Sequence, residues 1–193
     1  MLRRHLSSTT GRRERGLTLV ELVVAMALLV ILLFVATPDF SAWINNTRVR
    51  SVAEGMQNGV RLAQAEAVRR NRTVAFFLTN AEPAIDAVPV ANGVNWGIRT
   101  TTLFADDVAE FVRGAAAAEV GTGVAIVGPA AICFNAAGQQ VTVAAEGCAA
   151  AVTNYDVTRA VADRRLRIVV SMGGRVRMCD PDKVLSDANP DGC

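Results

Sequence analysis

The hydrophobic pattern divides the chain at Pro38. From Leu17 to Thr37 apolar residues run almost without interruption, and the single charge is Glu21. As a helix, about 20 such residues cross ~30 Å of hydrocarbon. Proline removes a backbone donor and crowds the preceding turn, so a break or kink is expected at Pro38. Beyond it, in WINNTRVRSVAEGMQNGVRLAQAEAVRRN, the apolar positions Val49, Val52, Ala53, Met56, Val60, Ala63 and Ala67 recur at spacings of three and four. Arg61, Glu66, Arg69 and Arg70 lie largely off that stripe, Gly55 and Gly59 weaken the helix, and Asn71 stops it. The pattern predicts one long helix over 17–72, membrane-grade in its first part (17–37) and amphipathic in its second.

From residue 73 the pattern reads as strands. TVAFFLT (73–79) and VNWGIRT (94–100) are β-branched and aromatic. GVAIVG, AICFN and QVTVA continue, with Asn135-Ala136-Ala137-Gly138 as a turn between the last two. RLRIVVS and RVRM close the set around a Gly-Gly turn. Pro83, Pro89, Pro129 and the Gly/Ala-rich stretch 114–123 mark loops, while residues 107–118 also fit a short helix. An α+β architecture follows, with the N-terminal helix laid on an antiparallel sheet built from residues 73–193.

Charge refines this picture. Arg3, Arg4, Arg12, Arg13 and Arg15 precede the apolar run, opposed only by Glu14. Basic residues stay cytoplasmic, which places the chain after Pro38 outside the inner membrane. Cys133, Cys148, Cys179 and Cys193 are even in number and form no C-x-x-C pair, so disulfides in an oxidising compartment are expected rather than metal or redox chemistry. Of the three connectivities, 133–148 with 179–193 is preferred: the first brackets a predicted hairpin and the second staples the tail. The formal charge of +2 is inflated by the leader, because residues 17–193 carry 15 basic and 17 acidic side chains. That remainder is polarised, with a basic block at 159–177 and an acidic one at 180–193.

Catalysis finds no support in these residues. The only histidine, His5, precedes the apolar run, leaving no imidazole after it for a triad or a zinc site. Asp106 and Asp107 read as solvated loop acids. Asp187-Ala188-Asn189-Pro190-Asp191-Gly192 opens like a calcium loop but lacks its closing bidentate acid, so no metal or cofactor is expected.

Two features remain. Glu21 is costly in a membrane helix, though less so near its end, and a plain anchor has no use for it. A helix that leaves the bilayer to pack beside sister helices does, if the carboxylate pairs with a neighbour's free amino terminus. The second feature is the basic hairpin. With a three-residue turn, Met172-Gly173-Gly174, Ser171 opposes Arg175 and Val169 opposes Arg177. Arg165, Arg167, Arg175 and Arg177 then share one face, and Leu166, Ile168, Val170, Val176 and Met178 the other. Four guanidiniums on one face repel, and phosphate oxygens suit their forks. Against this stands a purely structural role, an edge strand blunted by charge, with Asp180 and Asp182 near enough to neutralise it.

Gly16-Leu17-Thr18-Leu19-Val20-Glu21 resembles the prepilin peptidase site of type IV pilin-like proteins, with Leu17 in place of the commoner Phe. VRLAQAEAVRRN (60–71), Val94-Asn95-Trp96-Gly97 and RIVVSMGGRVRMC (167–179) resemble the FimT/GspH group within that family. The resemblance implies a cytoplasmic leader (1–16) cut after Gly16 by the prepilin peptidase, a methylated terminus at Leu17, and Glu21 paired with a neighbouring subunit. Partners are then other pilin or pseudopilin subunits and the inner membrane. Gly174-Arg175-Val176-Arg177 resembles the Gly-Arg-x-Arg motif of the group's DNA-binding branch, FimT. It implies that Arg175 and Arg177 contact the phosphates of double-stranded DNA during natural transformation, with Gly174 shaping the turn. Arg165 and Arg167 join them on the register argument alone. Alternatives are a GspH-like pseudopilin of type II secretion without DNA affinity, and an unprocessed membrane-anchored adhesion or scaffold domain.

Overall fold

The computed structural model describes Gly16 and residues 18–102, 107–116 and 121–193, with the side chains of residues 34–39 excepted. Residues 1–15 of the expected leader, Leu17 and Asp106 lie outside the described residues. The chain forms two units, Met1–Phe40 and Ser41–Cys193.

The helix α1 spans Leu19–Arg70. Thr18 caps it, its hydroxyl accepting the Glu21 N–H at 3.2 Å. Thr18-x-x-Glu21 has the spacing of a capping box, and an acid in the first turn also favours the positive end of the helix dipole. The observed bond uses the Glu21 backbone N–H; for the carboxylate, the dipole of the first turn offers a local use besides the one expected of it. Of the break or kink expected at Pro38, the break does not occur, since helical backbone continues through it. One missing N–H costs a single bond, and intact turns on both sides sustain the helix. In the first unit the large apolar side chains from Leu19 to Leu33 are exposed. The apolar run also includes Leu17 and residues 34–37. Among the described residues, no helix is long and apolar enough to cross a membrane.

In the second unit, two antiparallel sheets replace the single sheet expected. The first has the order β3-β2-β1-β5-β6: β1 Val74–Thr79, β2 Asn95–Thr100, β3 Phe111–Ala116, β5 Ala131–Phe134 and β6 Gln140–Val141. The second has the order β4-β7-β8-β9: β4 Ala125–Val127, β7 Thr153–Thr158, β8 Leu166–Val170 and β9 Val176–Cys179. Two elements differ from the sequence pattern. Residues 111–116 form strand β3 on β2 instead of a loop or a short helix, bulged at Ile98/Arg99. Strand β7 was not anticipated, because its outward positions Asn154 and Asp156 mask the inward alternation of Thr153, Tyr155 and Val157.

The whole predicted stripe of α1, Val49 to Ala67, is buried against Phe76, Leu78, Ile98, Ile132, Phe134, Tyr155, Val157, Ile168 and Val170. Side chains alternate across β1, so Ala75 and Phe77 enter a second cluster with Ala131, Cys133 and Cys148. Gly59 is more than a weak point in the helix. A Cβ there would lie 2.9 Å from the Trp96 ring, so its absence lets Trp96 slide beneath α1 and stack on Phe76 at 5.6 Å. The disulfides Cys133–Cys148 and Cys179–Cys193 both form.

Candidate functional site

The β8–β9 hairpin adopts the register that period-2 burial favours. Val170 opposes Val176, Val169 opposes Arg177, and Ile168 opposes Met178. At the turn the Ser171 N–H donates to Arg175 O at 3.0 Å, the Gly174 N–H to Ser171 O at 2.9 Å, and the Arg175 N–H to Ser171 Oγ at 3.0 Å. Gly174 has φ +86°, a conformation that disfavours a side chain.

Gln140 clamps this turn, with Thr153 and Gln64 supporting its surroundings. Buried Gln140 donates its backbone N–H to Met172 O at 2.9 Å, and its Nε2 to Val170 O and Ser171 O, both at 3.0 Å. Thr153 Oγ1 completes it by donating to Gln140 Oε1 at 3.3 Å. On the other side, Gln64 of α1 donates to Gly138 O at 2.8 Å, and Gly174 packs on that same carbonyl. A buried polar group this fully satisfied fixes position, because any displacement strands a donor.

The arginines of the hairpin divide into two kinds. Arg167 pairs with Asp156 on β7 at 2.6 Å, and Arg165 grips Asp182 through both carboxylate oxygens. These hydrogen bonds raise both arginines above the ordinary guanidinium value, and Arg165 holds the Asp182 carboxyl below the usual carboxylate range. Arg175 is exposed, and Arg177 Nη2 donates to Cys193 O at 3.5 Å. Neither has an aspartate or glutamate partner among the described residues. They line a shallow recess of about 140 Å³ with Val169 and Ser171. Of the four arginines expected on this face, two are therefore held by aspartates and two are not. Asp182 does neutralise a hairpin arginine, whereas Asp180 takes Arg164 instead, at 2.9 Å.

Several participants escaped sequence reasoning. Asp156 was hidden with β7, and Gln140 and Gln64 carry no signature in a sequence. Asp107 is no solvated acid, since it pairs with Arg72 at 2.5 Å. In the tail, Asp191 binds Lys183 at 2.7 Å and Arg164 at 3.0 Å. Gly16 is exposed ahead of α1, and Glu21 is exposed on its first turn.

Comparison with known proteins agrees with this architecture. The prokaryotic N-terminal methylation motif matches residues 11–37, a span containing Gly16, Leu17 and Glu21. The family described as Type II transport protein GspH matches residues 52–174. No curated protein matches significantly. Among solved structures, type IV minor pilin FimU of Pseudomonas aeruginosa (strain PAO1) superposes with a TM-score of 0.50 at 15% identity, over 71% of this chain and 95% of that one. The minor pseudopilin EpsH of the Vibrio cholerae Type 2 Secretion System gives 0.48 at 11%, over 70% and 99%. With well over half of its length under the one family model, the chain belongs to the Type II transport protein GspH family, as a pilin-like structural subunit and not an enzyme.

Proposed function

We propose that this subunit is a minor type IV pilin that holds double-stranded DNA through Arg175 and Arg177 for uptake in natural transformation. The observation that carries the reading is the contrast within one hairpin. Arg165 and Arg167 are neutralised by aspartates, while Arg175 at the clamped turn and Arg177 on β9 have no aspartate or glutamate partner among the described residues. An edge strand blunted merely for solubility needs no clamp. Guanidiniums on adjacent outward positions, about 7 Å apart along the strand, suit a phosphate backbone, and such binding is indifferent to base sequence.

In this reading residues 1–16 form the cytoplasmic leader, the prepilin peptidase cuts after Gly16, and Leu17 becomes a methylated terminus. The segment 17–37 waits in the inner membrane until assembly, when Glu21 pairs with a neighbouring subunit's amine. The exposed apolar surface from Leu19 to Leu33 supports that passage, since water is a poor solvent for it.

The test is a gel shift of the full chain in detergent, parent against the Arg175→Gln/Arg177→Gln double variant. At about 100 mM salt the variant should bind duplex DNA at least tenfold more weakly; equal affinity would falsify the reading.

A second reading is favoured by the description of the matched family: a pseudopilin of type II secretion with a structural role and no DNA affinity. Deleting the gene separates the two, since one predicts lost transformation and the other lost secretion.

A further inference from the structure

The cations around β8 and β9 are mostly paired. Arg164, Arg165, Arg167 and Lys183 each have a carboxylate at 2.5–2.9 Å. A guanidinium from another element joins the exceptions. Arg61 is exposed on α1 and lies off the apolar stripe, and its Nη2 donates to Val176 O at 3.4 Å. Val176 sits between Arg175 and Arg177 in sequence, so Arg61, from a distant stretch of chain, meets the backbone of β9 between the two hairpin arginines.

What holds Arg61 matters as much as where it is. In the amide orientation that satisfies its neighbours, Gln57 accepts from Arg61 Nη2 at 3.3 Å and from the Met178 N–H at 3.2 Å. Both acceptors of Arg61, a peptide carbonyl and an amide, are neutral. They fix the guanidinium's orientation without cancelling its charge, and among the described residues Nε and Nη1 have no protein partner. An ion pair neutralises a cation; a neutral cradle presents one.

We propose that Arg61 is a third phosphate anchor, which widens the DNA-binding surface from the hairpin turn across the edge of β9 onto α1. This rests on the DNA-binding reading of Arg175 and Arg177 given above. The strip joins helix and hairpin, so duplex DNA would lie across β9 and touch both elements. Arg165 and Arg167, occupied by Asp182 and Asp156, fall outside it.

The test measures affinity of the full chain in detergent for a mixed-sequence duplex from about 50 to 200 mM salt. Each neutralised phosphate contributes a slope of about −0.9 in log K against log salt. Arg61→Gln should make the slope shallower by about 0.9 and weaken binding severalfold at about 100 mM, while Arg61→Lys should keep the slope. An unchanged slope for Arg61→Gln, alongside a large loss for Arg175→Gln/Arg177→Gln, overturns the assignment of Arg61 and leaves the two-arginine reading intact. No loss for the double variant overturns both. Because Arg61 also supports Val176, a second measurement avoids substitution altogether. Duplex DNA should slow phenylglyoxal modification of Arg61 in the parent chain as it slows that of Arg175 and Arg177. Protection of the hairpin arginines without protection of Arg61 overturns the proposal.

Discussion

Arg167 grips Asp156 across the β7–β8 ladder, with Nε donating to Oδ1 at 2.6 Å and Nη2 to Oδ2 at 2.8 Å. Asp156 opposes Arg167 in register, so the strand pairing itself sets the fork against the carboxylate. This pair occupies the charge of Arg167 within the fold. Removing the acid should release the base. Asp156→Asn is expected to tighten DNA binding about threefold or more at low salt and to steepen the salt slope by up to about 0.9. Loss of a partly exposed pair should cost roughly 1 kcal/mol of stability. An unchanged slope in the binding titration would show that Arg167 stays off the DNA even when unpaired.

Gly174 meets both a torsional and a steric demand. Its φ of +86° disfavours any L side chain, and an added Cβ would fall 2.0 Å from Gly138 O and 2.2 Å from Gln64 Nε2. Gly174→Ala should therefore destabilise by about 2–3 kcal/mol, lowering the melting temperature by roughly 4–12 °C. Calorimetry on the parent and the variant measures this directly. DNA affinity should fall with it, because the turn that presents Arg175 would have to move off Gly138.

Glu66 makes stability depend on acid. Hydrogen bonds from Arg69 and Arg70 hold its carboxyl at about 2, against an ordinary 4.5. A folded-state value below the unfolded one contributes stability that is complete above about pH 4.5 and lost as pH falls towards 2. That contribution is on the order of 1–3 kcal/mol. Arg70 also bonds Glu110 and pulls its carboxyl down, which acts in the same direction. The urea midpoint of the parent should drop between pH 5 and pH 3, and Glu66→Gln should start lower and show a smaller drop. Parallel pH curves for the two proteins would refute the linkage.

Tyr155 is fully buried against Phe76 at 5.9 Å, and its hydroxyl finds no hydrogen-bond partner among the described residues. Burial alone pushes its ionisation far above the usual phenol value. Stranding a hydroxyl costs roughly 1–3 kcal/mol. Tyr155→Phe should thus be neutral or stabilising by up to about that amount in chemical denaturation. Clear destabilisation would reveal a partner for the hydroxyl.

Glu21 has two candidate uses, the capping box with Thr18 and a docking charge for a neighbouring subunit. The Thr18→Ala variant removes the cap alone, at a cost of about 1 kcal/mol of helix stability, and should still be built into filaments. Glu21→Ala should be processed after Gly16 but recovered poorly from sheared filaments, as immunoblotting of that fraction would reveal. Equal recovery of parent and Glu21→Ala would leave the carboxylate with only its local role.

Local sequence settled those features whose physics is local. The stripe from Val49 to Ala67, strands such as Val74–Thr79, the Asn135–Gly138 turn and the hairpin register could be read from spacing, because side-chain period and turn chemistry act between near neighbours; the four cysteines left three pairings open, and the structure forms the preferred one. Only the folded chain decided the rest. It split the strands into two sheets, drew residues 111–116 into β3, and brought Asp156 to Arg167 and Arg61 to Val176. The last contact joins residues 115 positions apart. Charge along a chain gives the number of arginines, but whether each is neutralised depends on which carboxylate the tertiary fold carries within reach, and Coulomb attraction at contact distance far exceeds anything a sequence interval can indicate.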